Sequence, residues 1–233
     1  MHKILTDGFS ALGLELTEEM SRRFAAYGQH LGERNEVMNL TAISGDEDIA
    51  RLHFLDCAAL LSLYDFSGAS VIDIGSGAGF PGLPLKIAKS DISLTMLDSQ
   101  KKRVDFLEET CQKLGLYDVR CVWARAEEAA MDMGGSFDIA VSRAVAKLNI
   151  LCELCLPFVS TGGVFIAMKG PDCEEELKEA GHAISVLGGG KTDIKIYRIP
   201  GTEISHSAVI IRKTKPTPPQ YPRQFGRIKK APL

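Results

Sequence analysis

From residue 70 onward, short apolar runs rich in Val, Ile and Leu alternate with longer stretches of helical periodicity. The runs are "SVIDIG", "SLTMLD", "VRCVWA", "FDIAVS" and "GVFIAMKG", and the longer stretches include 100–114 and 147–158. Strands that alternate with helices favour a parallel sheet with helices on both faces. Two later runs, "TDIKIYRIP" and "HSAVIIRK", are joined by the short "GTEIS", which predicts an antiparallel hairpin. The sequence therefore predicts an α/β fold whose mostly parallel sheet is closed by a C-terminal hairpin.

The residues before this pattern have the periodicity of helices. A helix is predicted over 17–39, with Thr17 as its N-cap. Ser44 and Glu47 match a capping box, which predicts a second helix whose apolar side continues to Leu63. These residues form a predicted helical extension of the α/β fold.

The chain is predicted to form one compact unit with three parts. They are the helical extension over 1–65, the α/β core over 66–213 and a basic tail over 214–233. The tail has four prolines by position 222, so it is predicted to be extended rather than helical.

Length and composition are those of an ordinary globular protein. The chain has 233 residues, of which 45% are hydrophobic and 24% charged, and this length is enough to bury a core. Its apolar runs are too short to cross a bilayer and its first residues lack a secretory signal, so no membrane association is expected. Six cysteines scattered in apolar contexts favour buried thiols and a cytoplasmic location. Cys152 and Cys155 form a CxxC within "NILCELCLPF", where core packing is favoured over a metal or redox site. No metal site is predicted.

The stretch "VIDIGSGAGFPGLPLK" follows the first predicted strand and contains four glycines. Gly77, Gly79 and Gly82 fit the GxGxxG pattern of dinucleotide-binding proteins. Asp73, Gly75, Gly77 and Gly79 fit an acid-x-G-x-G-x-G pattern that resembles the first motif of class I methyltransferases. Both patterns use glycine because a side chain on the strand-to-helix turn would block the ligand. The glycine spacing alone leaves both cofactor classes open.

The charge of Asp73 favours S-adenosylmethionine over a dinucleotide. The carboxylate would repel a pyrophosphate bound at the following helix N-terminus, whereas it would attract a sulfonium and an ammonium group. The C-terminal hairpin also favours the methyltransferase fold over the nicotinamide-binding one. Asp98, at the end of the second strand, is predicted to accept hydrogen bonds from the ribose hydroxyls of an adenosine. The alternatives are that Asp73 caps the turn and that Asp98 caps the next helix.

Longer motifs resemble one family, the bacterial 16S rRNA methyltransferases RsmG, also called glucose-inhibited division protein B. The resemblance covers nearly the whole chain. It rests on "NEVMNLTAI", "HFLDCAAL", "VIDIGSGAGFPGLPL", "LDSQKKRVDFLEE", "RAEE", "SRAVAKL", "MKG" and "YPRQFGRIKKAPL". It implies a class I, Rossmann-like methyltransferase that modifies a guanine at ring nitrogen 7, giving 7-methylguanosine. The implied partner is 16S rRNA or the small subunit during assembly, and the enzyme is expected to be a monomer.

The family resemblance adds cofactor contacts to those suggested by the glycine loop. Gly75 and Phe80 in the loop match cofactor-contacting positions, as do residues of "RAEE" and "SRAVA", and Asp98 matches the ribose-binding acid. Together with the loop pattern, the predicted cofactor residues are Asp73, Gly75, Gly77, Gly79, Phe80, Asp98, Ala126, Glu127 and Arg143.

The ends of the fourth and fifth strands limit the chemistry. The fourth strand ends in "VSRAVA" and not in the Asn/Asp-Pro-Pro-aromatic element that serves exocyclic amines. No cysteine stands directly at the end of either strand to attack a pyrimidine ring. An atom with a free lone pair and no proton, such as guanine N7, needs only alignment and exclusion of water. No obligate general base is therefore predicted. Arg143 is predicted to hold the cofactor carboxylate or to order the mouth of the site, the alternative being an ion pair with a helix carboxylate.

Positive charge is concentrated at the end of the chain. From Arg212 onward there are seven Lys or Arg and no acid, which leaves −10 on the first 211 residues of a chain whose net charge is −3. Lys and Arg can contact phosphates, and Tyr221 or Phe225 could stack on an unpaired base. A solubilising tail is the alternative. The predicted RNA contacts are Lys169, Arg223, Arg227, Lys229 and Lys230.

Two other functions remain possible from the residues alone. One is a nicotinamide-dependent oxidoreductase, and the other is a non-catalytic RNA-binding module that retains a cofactor-shaped loop. His53 and Asp56 lie three apart on one helix face, and for His53 a structural role is favoured over a place in the target-base pocket.

Overall fold

The computed structural model describes residues 1–143 and 146–233, and these residues contain seven strands in one sheet. The strands are β1 (Ser70–Ile74), β2 (Ser93–Asp98), β3 (Val119–Trp123), β4 (Phe137–Arg143), β5 (Val159–Lys169), β6 (Gly189–Arg198) and β7 (Ser205–Lys213). Their order is β3-β2-β1-β4-β5-β7-β6. The first five pair in parallel, and β7 is antiparallel to both β5 and β6. The predicted fold class is confirmed.

Helical segments precede the sheet and cover both of its faces. They are α1 (His2–Ala11), α2 (Glu18–Met38), α3 (Asp46–Asp48), a π-helical stretch (Ile49–Leu55), α4 (Asp56–Ala58), α5 (Leu60–Leu63), α6 (Gly82–Ala88), α7 (Lys101–Leu114), α8 (Ala126–Met133), α9 (Leu148–Cys155), a 3-10 turn (Leu156–Phe158), α10 (Glu174–Glu179), α11 (Gly181–Val186) and α12 (Phe225–Lys230). None of the helices in the described ranges is long and apolar enough to cross a membrane.

The helical extension shares its core with the sheet. Successive residues of β4 point to opposite faces, so Ile139 and Val141 join one buried cluster and Ala140 joins the other. The first cluster also contains Phe24 of α2 and Phe54 of the π-helical stretch. The extension is therefore packed as part of the same body and not as a separate lobe.

The start of the second predicted helix differs from the prediction. Thr17 does cap α2, since its Oγ1 accepts a hydrogen bond from the Met20 N–H at 3.2 Å. The predicted capping box at Ser44 and Glu47 does not form, because α3 begins after Gly45 and no side chain caps it. Gly45 has φ +87°, a conformation that glycine adopts easily, and the turn at this glycine sets the helix start instead.

The predicted extended tail contains a short helix. Four of the tail prolines precede residue 224 and Pro232 follows the helix, whereas α12 spans Phe225–Lys230 and contains none. Ile228 is fully buried, so packing of this side chain against the body stabilises a helix that the overall composition did not predict.

The carboxyl ends of the central strands meet at one edge of the sheet. Ile74 of β1 pairs with Leu97 of β2, and Arg143 of β4 pairs with Met168 of β5. In open α/β sheets ligands bind at this edge, and most of the predicted cofactor residues lie here. Ala144 and Val145 of the "SRAVAKL" motif lie outside the described residues.

Candidate functional site

Two cavities adjoin at the carboxyl edge of the sheet. The first cavity has a volume of about 390 Å³ and lies over the ends of β1 and β2. The second cavity has a volume of about 480 Å³ and lies over the end of β5. Arg143 and His53 line both, so these two side chains form the wall between them. Seven of the nine predicted cofactor residues line the first cavity, namely Gly75, Gly77, Phe80, Asp98, Ala126, Glu127 and Arg143.

The glycine loop keeps the floor of the first cavity open. The Gly75 N–H donates to the carbonyl of Leu97 at 2.8 Å, which ties the loop to the end of β2. Gly77 has φ +57°, and a Cβ built on it would meet only the Gly75 carbonyl, at 3.9 Å. A side chain there would therefore project into the cavity. The loop matches the sequence prediction that glycine makes room for a ligand.

Asp73 and Gly79 lie behind the loop and do not line the cavity. Asp73 is fully buried, and its Oδ2 accepts a hydrogen bond from the Gly82 N–H at 2.8 Å. Burial raises the pKa of this carboxyl to about 7. A Cβ on Gly79 would lie 2.7 Å from the Tyr27 hydroxyl, so this glycine allows close packing. The predicted attraction between Asp73 and a cationic cofactor does not match its position, whereas the alternative role in the turn does.

Asp98 holds the glycine loop by a hydrogen bond and faces the first cavity. Its Oδ2 accepts from the Gly77 N–H at 3.0 Å and its Oδ1 from the Gln100 N–H at 2.8 Å. A carboxylate has about four lone-pair sites, so it can also accept hydrogen bonds from a ribose. The predicted ribose contact is therefore compatible with the bonds of Asp98 to the loop, whereas α7 begins after Gln100 with no side-chain cap.

The far wall of the first cavity comes from α8 and the end of the chain. Glu127 Oε1 accepts from Arg125 Nε at 2.8 Å and from the Phe225 N–H at 3.3 Å. Phe225 itself lines the cavity. A tail residue predicted only as a possible stacking platform for RNA is thus part of the cofactor-sized cavity.

Arg143 is held by the helical extension. Its Nη1 donates to Asp56 Oδ2 at 3.1 Å and to the carbonyl of Leu52 at 3.2 Å. Its guanidinium also lies 4.7 Å from the centre of the Phe80 ring. The ion pair with a helix carboxylate, given as the alternative, is present, and the side chain still faces both cavities.

His53 is a neutral link between Arg143 and the segment that follows α2. Burial, and then the charge of Arg143, lower the pKa of His53 to about 3. Arg143 Nη2 lies 2.8 Å from His53 Nδ1 and can only donate, so the ring proton is on Nε2. That nitrogen lies 2.8 Å from Thr41 Oγ1. The structural role favoured for His53 is consistent with these contacts, although its ring also faces both cavities.

The second cavity has an apolar lining with a few polar side chains. Its polar side includes His206 of β7, whose Nδ1 lies 2.9 Å from Asp56 Oδ1. This hydrogen bond raises the pKa of His206, which favours the protonated ring. Tyr197 donates to the same Asp56 oxygen at 2.8 Å. Asp56 is almost fully buried and therefore fixes three donors, of which Arg143 and His206 line the cavity.

Two predicted RNA contacts are engaged within the protein. Lys169 Nζ donates to Glu176 Oε1 and to the carbonyl of Ala146, both at 2.8 Å, and the side chain also lines the second cavity. Arg223 donates to the buried carboxylate of Glu153 through Nε at 2.8 Å and Nη2 at 2.5 Å. The remaining predicted contacts, Arg227, Lys229 and Lys230, are exposed.

Sequence reasoning missed several residues that shape the site. Tyr27 of α2 donates to the carbonyl of Ala78 in the glycine loop, and Tyr197 and His206 join Asp56 through space. The sequence singled out Asp56 itself, by its spacing from His53 on one helix face, but not these partners. Contacts between residues more than 50 positions apart cannot be recognised from the spacing of residues in a single sequence.

The first cavity fits S-adenosylmethionine. Its volume is within the roughly 300–1,000 Å³ of small-molecule sites, and the floor at Gly77 is one that a side chain would fill. Asp98 and Glu127 supply carboxylates that suit a sulfonium and an ammonium group, and Leu97 and Ala126 supply apolar surface for an adenine. Within residues 1–143 and 146–233, no group of three or more His, Cys, Asp or Glu side chains is arranged to hold a metal ion.

Comparisons with known proteins agree with this geometry. The family described as rRNA small subunit methyltransferase G (GidB) matches residues 20–204. The ribosomal RNA small subunit methyltransferase G of Clostridium perfringens (strain 13 / Type A) is 45% identical, over 96% of this chain and 95% of that protein. The protein of the same description from Alkaliphilus metalliredigens (strain QYMF) is also 45% identical, over 99% of this chain and 98% of its own length.

Solved structures with low sequence identity share the fold. M. jannaschii TYW2 in complex with AdoMet has a TM-score of 0.56 at 13% identity, over 73% of this chain and 77% of that one. A SAM-dependent methyltransferase from Aquifex aeolicus has a TM-score of 0.52 at 18% identity, over 71% of this chain and 93% of that one. These likenesses concern the arrangement of strands and helices.

Proposed function

The chain belongs to the rRNA small subunit methyltransferase G family, and on that premise we propose that it transfers the methyl group of S-adenosylmethionine to ring nitrogen 7 of a guanine in 16S rRNA. Methylation of small-subunit rRNA is the activity that names the family, and this chain is an enzyme of that class. The choice of donor atom and target atom is our proposal. In it the first cavity holds the methyl donor and the second cavity holds the target base.

The donors around the second cavity carry the proposal. Lys169 has three N–H groups, of which two are used internally, so one remains for a ligand. His206 keeps its Nδ1 on Asp56, which leaves the Nε2–H of the protonated ring, and Arg143 adds a permanent charge. Guanine presents two acceptors, O6 and N7, on its major-groove edge, whereas adenine presents an amino donor in place of O6. A cavity rich in donors therefore favours guanine.

Among the residues that the structure describes, the second cavity is lined by no free general base, which supports N7 as the acceptor atom. Asp56, the carboxylate of the second cavity, already accepts from three side chains. Neither cavity is lined by a cysteine among the described residues, and burial raises the pKa of the neighbouring Cys57 thiol far above its usual value. N7 carries a lone pair and no proton, so it needs no base.

The reaction requires alignment more than acid–base chemistry. When bound, S-adenosylmethionine would supply a methyl carbon bonded to a positively charged sulfur. The N7–C bond would form as the C–S bond breaks, and the positive charge would pass to the purine. Donors on O6 would hold the base while leaving N7 free to attack. The apolar residues Leu52, Met168 and Ile204 line the second cavity and would exclude water.

The same proposal describes a monomer that acts in the cytoplasm on 16S rRNA or on the small subunit during assembly. The nicotinamide alternative is set aside by the family membership. A non-catalytic RNA-binding module remains the second possibility to be tested.

Incubation with tritiated S-adenosylmethionine and unmodified small-subunit rRNA, followed by nucleoside mass mapping, tests the proposal. Label in 7-methylguanosine is the expected result. RNA binding without label would support the binding module, and label in a different nucleoside would refute N7 as the target atom. A Gly77→Asp variant, whose side chain would enter the first cavity, is the matched negative control.

A further inference from the structure

The terminal segment, residues 214–233, is anchored on the body by buried polar contacts. Just before it, Lys213 donates to the carbonyls of Leu156 at 2.9 Å and Leu187 at 2.7 Å. Further along, the Arg223 backbone N–H and side chain donate to Glu153, which is fully buried. A buried carboxylate is costly without such a partner. Arg223 therefore positions the segment, in contrast to its predicted role as an RNA contact.

The inner side of the segment forms part of the first cavity. Phe225 lines the cavity, and its N–H donates to Glu127 Oε1 at 3.3 Å. Arg125 donates to the same oxygen at 2.8 Å and lies 5.2 Å from the centre of the Phe225 ring. A molecule bound in the cavity would therefore lie against residues that hold the segment in place.

The outer side of the segment carries positive charge. Ile228 of α12 is buried, whereas Arg227, Lys229 and Lys230 on the same helix are exposed. Among the described residues these three cations form no ion pair. They stand on a chain whose first 211 residues carry a net negative charge, so a basic patch at this place suits a polyanion.

A six-residue helix has little stability of its own. Isolated helices this short do not persist in water, so the position of α12 depends on its contacts with the body. One of those contacts is the wall of the first cavity. A ligand that adds contacts at Phe225 would favour the docked position, and any partner that binds the docked cations would favour it as well.

We propose that the terminal segment couples the two substrates, so that donor bound against Phe225 holds α12 in the position in which Arg227, Lys229 and Lys230 contact rRNA phosphates. This inference rests on the proposed function. Coupling is reciprocal, so rRNA must raise the affinity for the donor by the same factor as the donor raises the affinity for rRNA. Arg223 acts as a positioning residue because it touches neither ligand.

Equilibrium binding to a small-subunit rRNA transcript, with and without S-adenosylhomocysteine, tests the coupling. The wild-type protein is expected to bind the transcript at least about fivefold more tightly when S-adenosylhomocysteine is present. Phe225→Ala should weaken binding of S-adenosylhomocysteine and reduce the coupling to below about twofold, with transcript affinity in its absence unchanged. Arg223→Ala should do the same, although it lines no cavity.

Two double variants distinguish a specific effect of the cations on α12 from a general effect of net charge. Lys229→Ala with Lys230→Ala should leave S-adenosylhomocysteine affinity unchanged and reduce the slope of log affinity against log salt by roughly 1.5, as expected for two lost phosphate contacts. Lys191→Ala with Arg212→Ala removes the same charge from exposed residues at the opposite edge of the sheet. This control should change neither the salt slope nor the coupling.

The outcomes distinguish this inference from the proposed function. Equal transcript affinity with and without S-adenosylhomocysteine, in a protein that binds both, would overturn the coupling and leave the methyltransferase proposal standing. Failure of the wild-type protein to bind S-adenosylhomocysteine would overturn both. If Arg223→Ala does not fold, the Phe225→Ala result decides.

Discussion

Replacing Asp56 by asparagine perturbs the polar network between the two cavities. The carboxylate is almost fully buried and accepts from Arg143, Tyr197 and His206. Asparagine keeps the shape but loses the charge, so Arg143, whose side chain is only 15% exposed, is left without its ion-pair partner. Breaking a buried ion pair in this way costs about 3–5 kcal/mol of unfolding free energy. For a chain of this length the Tm should fall by on the order of 10 °C.

The loss should depend on pH. Asp56 raises the pKa of His206 above its ordinary value of 6.5, so protonation of this ring stabilises the folded state. That contribution is fully present below the unfolded pKa and is lost as the pH rises through the raised folded pKa. The difference in stability between the wild-type protein and Asp56→Asn should therefore be larger in mildly acidic than in alkaline solution.

Urea denaturation followed by circular dichroism, at about pH 6 and about pH 9, measures both effects. Asp105→Asn is a matched control, because the Lys101–Asp105 pair is exposed, with 61% and 47% of the side chains accessible. It should cost less than about 1 kcal/mol. A similarly small loss for Asp56→Asn, or an equal loss at the two pH values, would refute the reasoning about the network.

Four further substitutions separate cavity contacts from packing. Gly77→Asp should abolish S-adenosylmethionine binding in isothermal titration while the protein stays folded. Retained binding would contradict the position of Gly77 on the floor of the first cavity. Gly79→Ala should instead lower stability by about 1–3 kcal/mol through overpacking, and an unchanged Tm would contradict this. Tyr27→Phe removes the hydrogen bond to the loop and should weaken donor binding by roughly twofold to tenfold; unchanged affinity would show that the loop does not need it. Lys169→Met should reduce kcat with rRNA while the Kd for S-adenosylmethionine is retained, and a loss confined to that Kd would exclude Lys169 from the target cavity.

The parallel sheet could be predicted from the sequence because its signals are local. Each strand is a short apolar run, and the glycine loop follows the first of them directly. Gly77 and Asp98 could be placed at the cavity for the same reason, since Asp98 ends β2 and Gly77 lies in the loop that follows β1, both at the carboxyl edge.

The direction in which a side chain points could not be predicted for Asp73. An acid at a strand end can face the ligand or the helix behind the loop, and the sequence is the same in both cases. The hydrogen bond to the Gly82 N–H at 2.8 Å shows that it faces the helix. The electrostatic argument for a cationic cofactor therefore applies better to Asp98 and Glu127, which do line the first cavity.

Contacts between distant parts of the chain also could not be predicted from the sequence. In the sequence Arg223 is one of several basic tail residues. In the structure its side chain donates to Glu153, which lies 70 residues earlier in the chain. The charge run alone predicts a solvated or RNA-binding tail. Only the packed structure shows that one of its cations is used internally and that Phe225 lies on the first cavity.

Methyl transfer to a small-subunit rRNA transcript made with 7-deazaguanosine in place of guanosine tests the central claim most directly. This base keeps O6 and its pairing edge but has carbon in place of N7. Tritium from S-adenosylmethionine should enter the ordinary transcript and not the 7-deazaguanosine transcript, although both are bound. Equal incorporation into the two transcripts would show that another atom receives the methyl group.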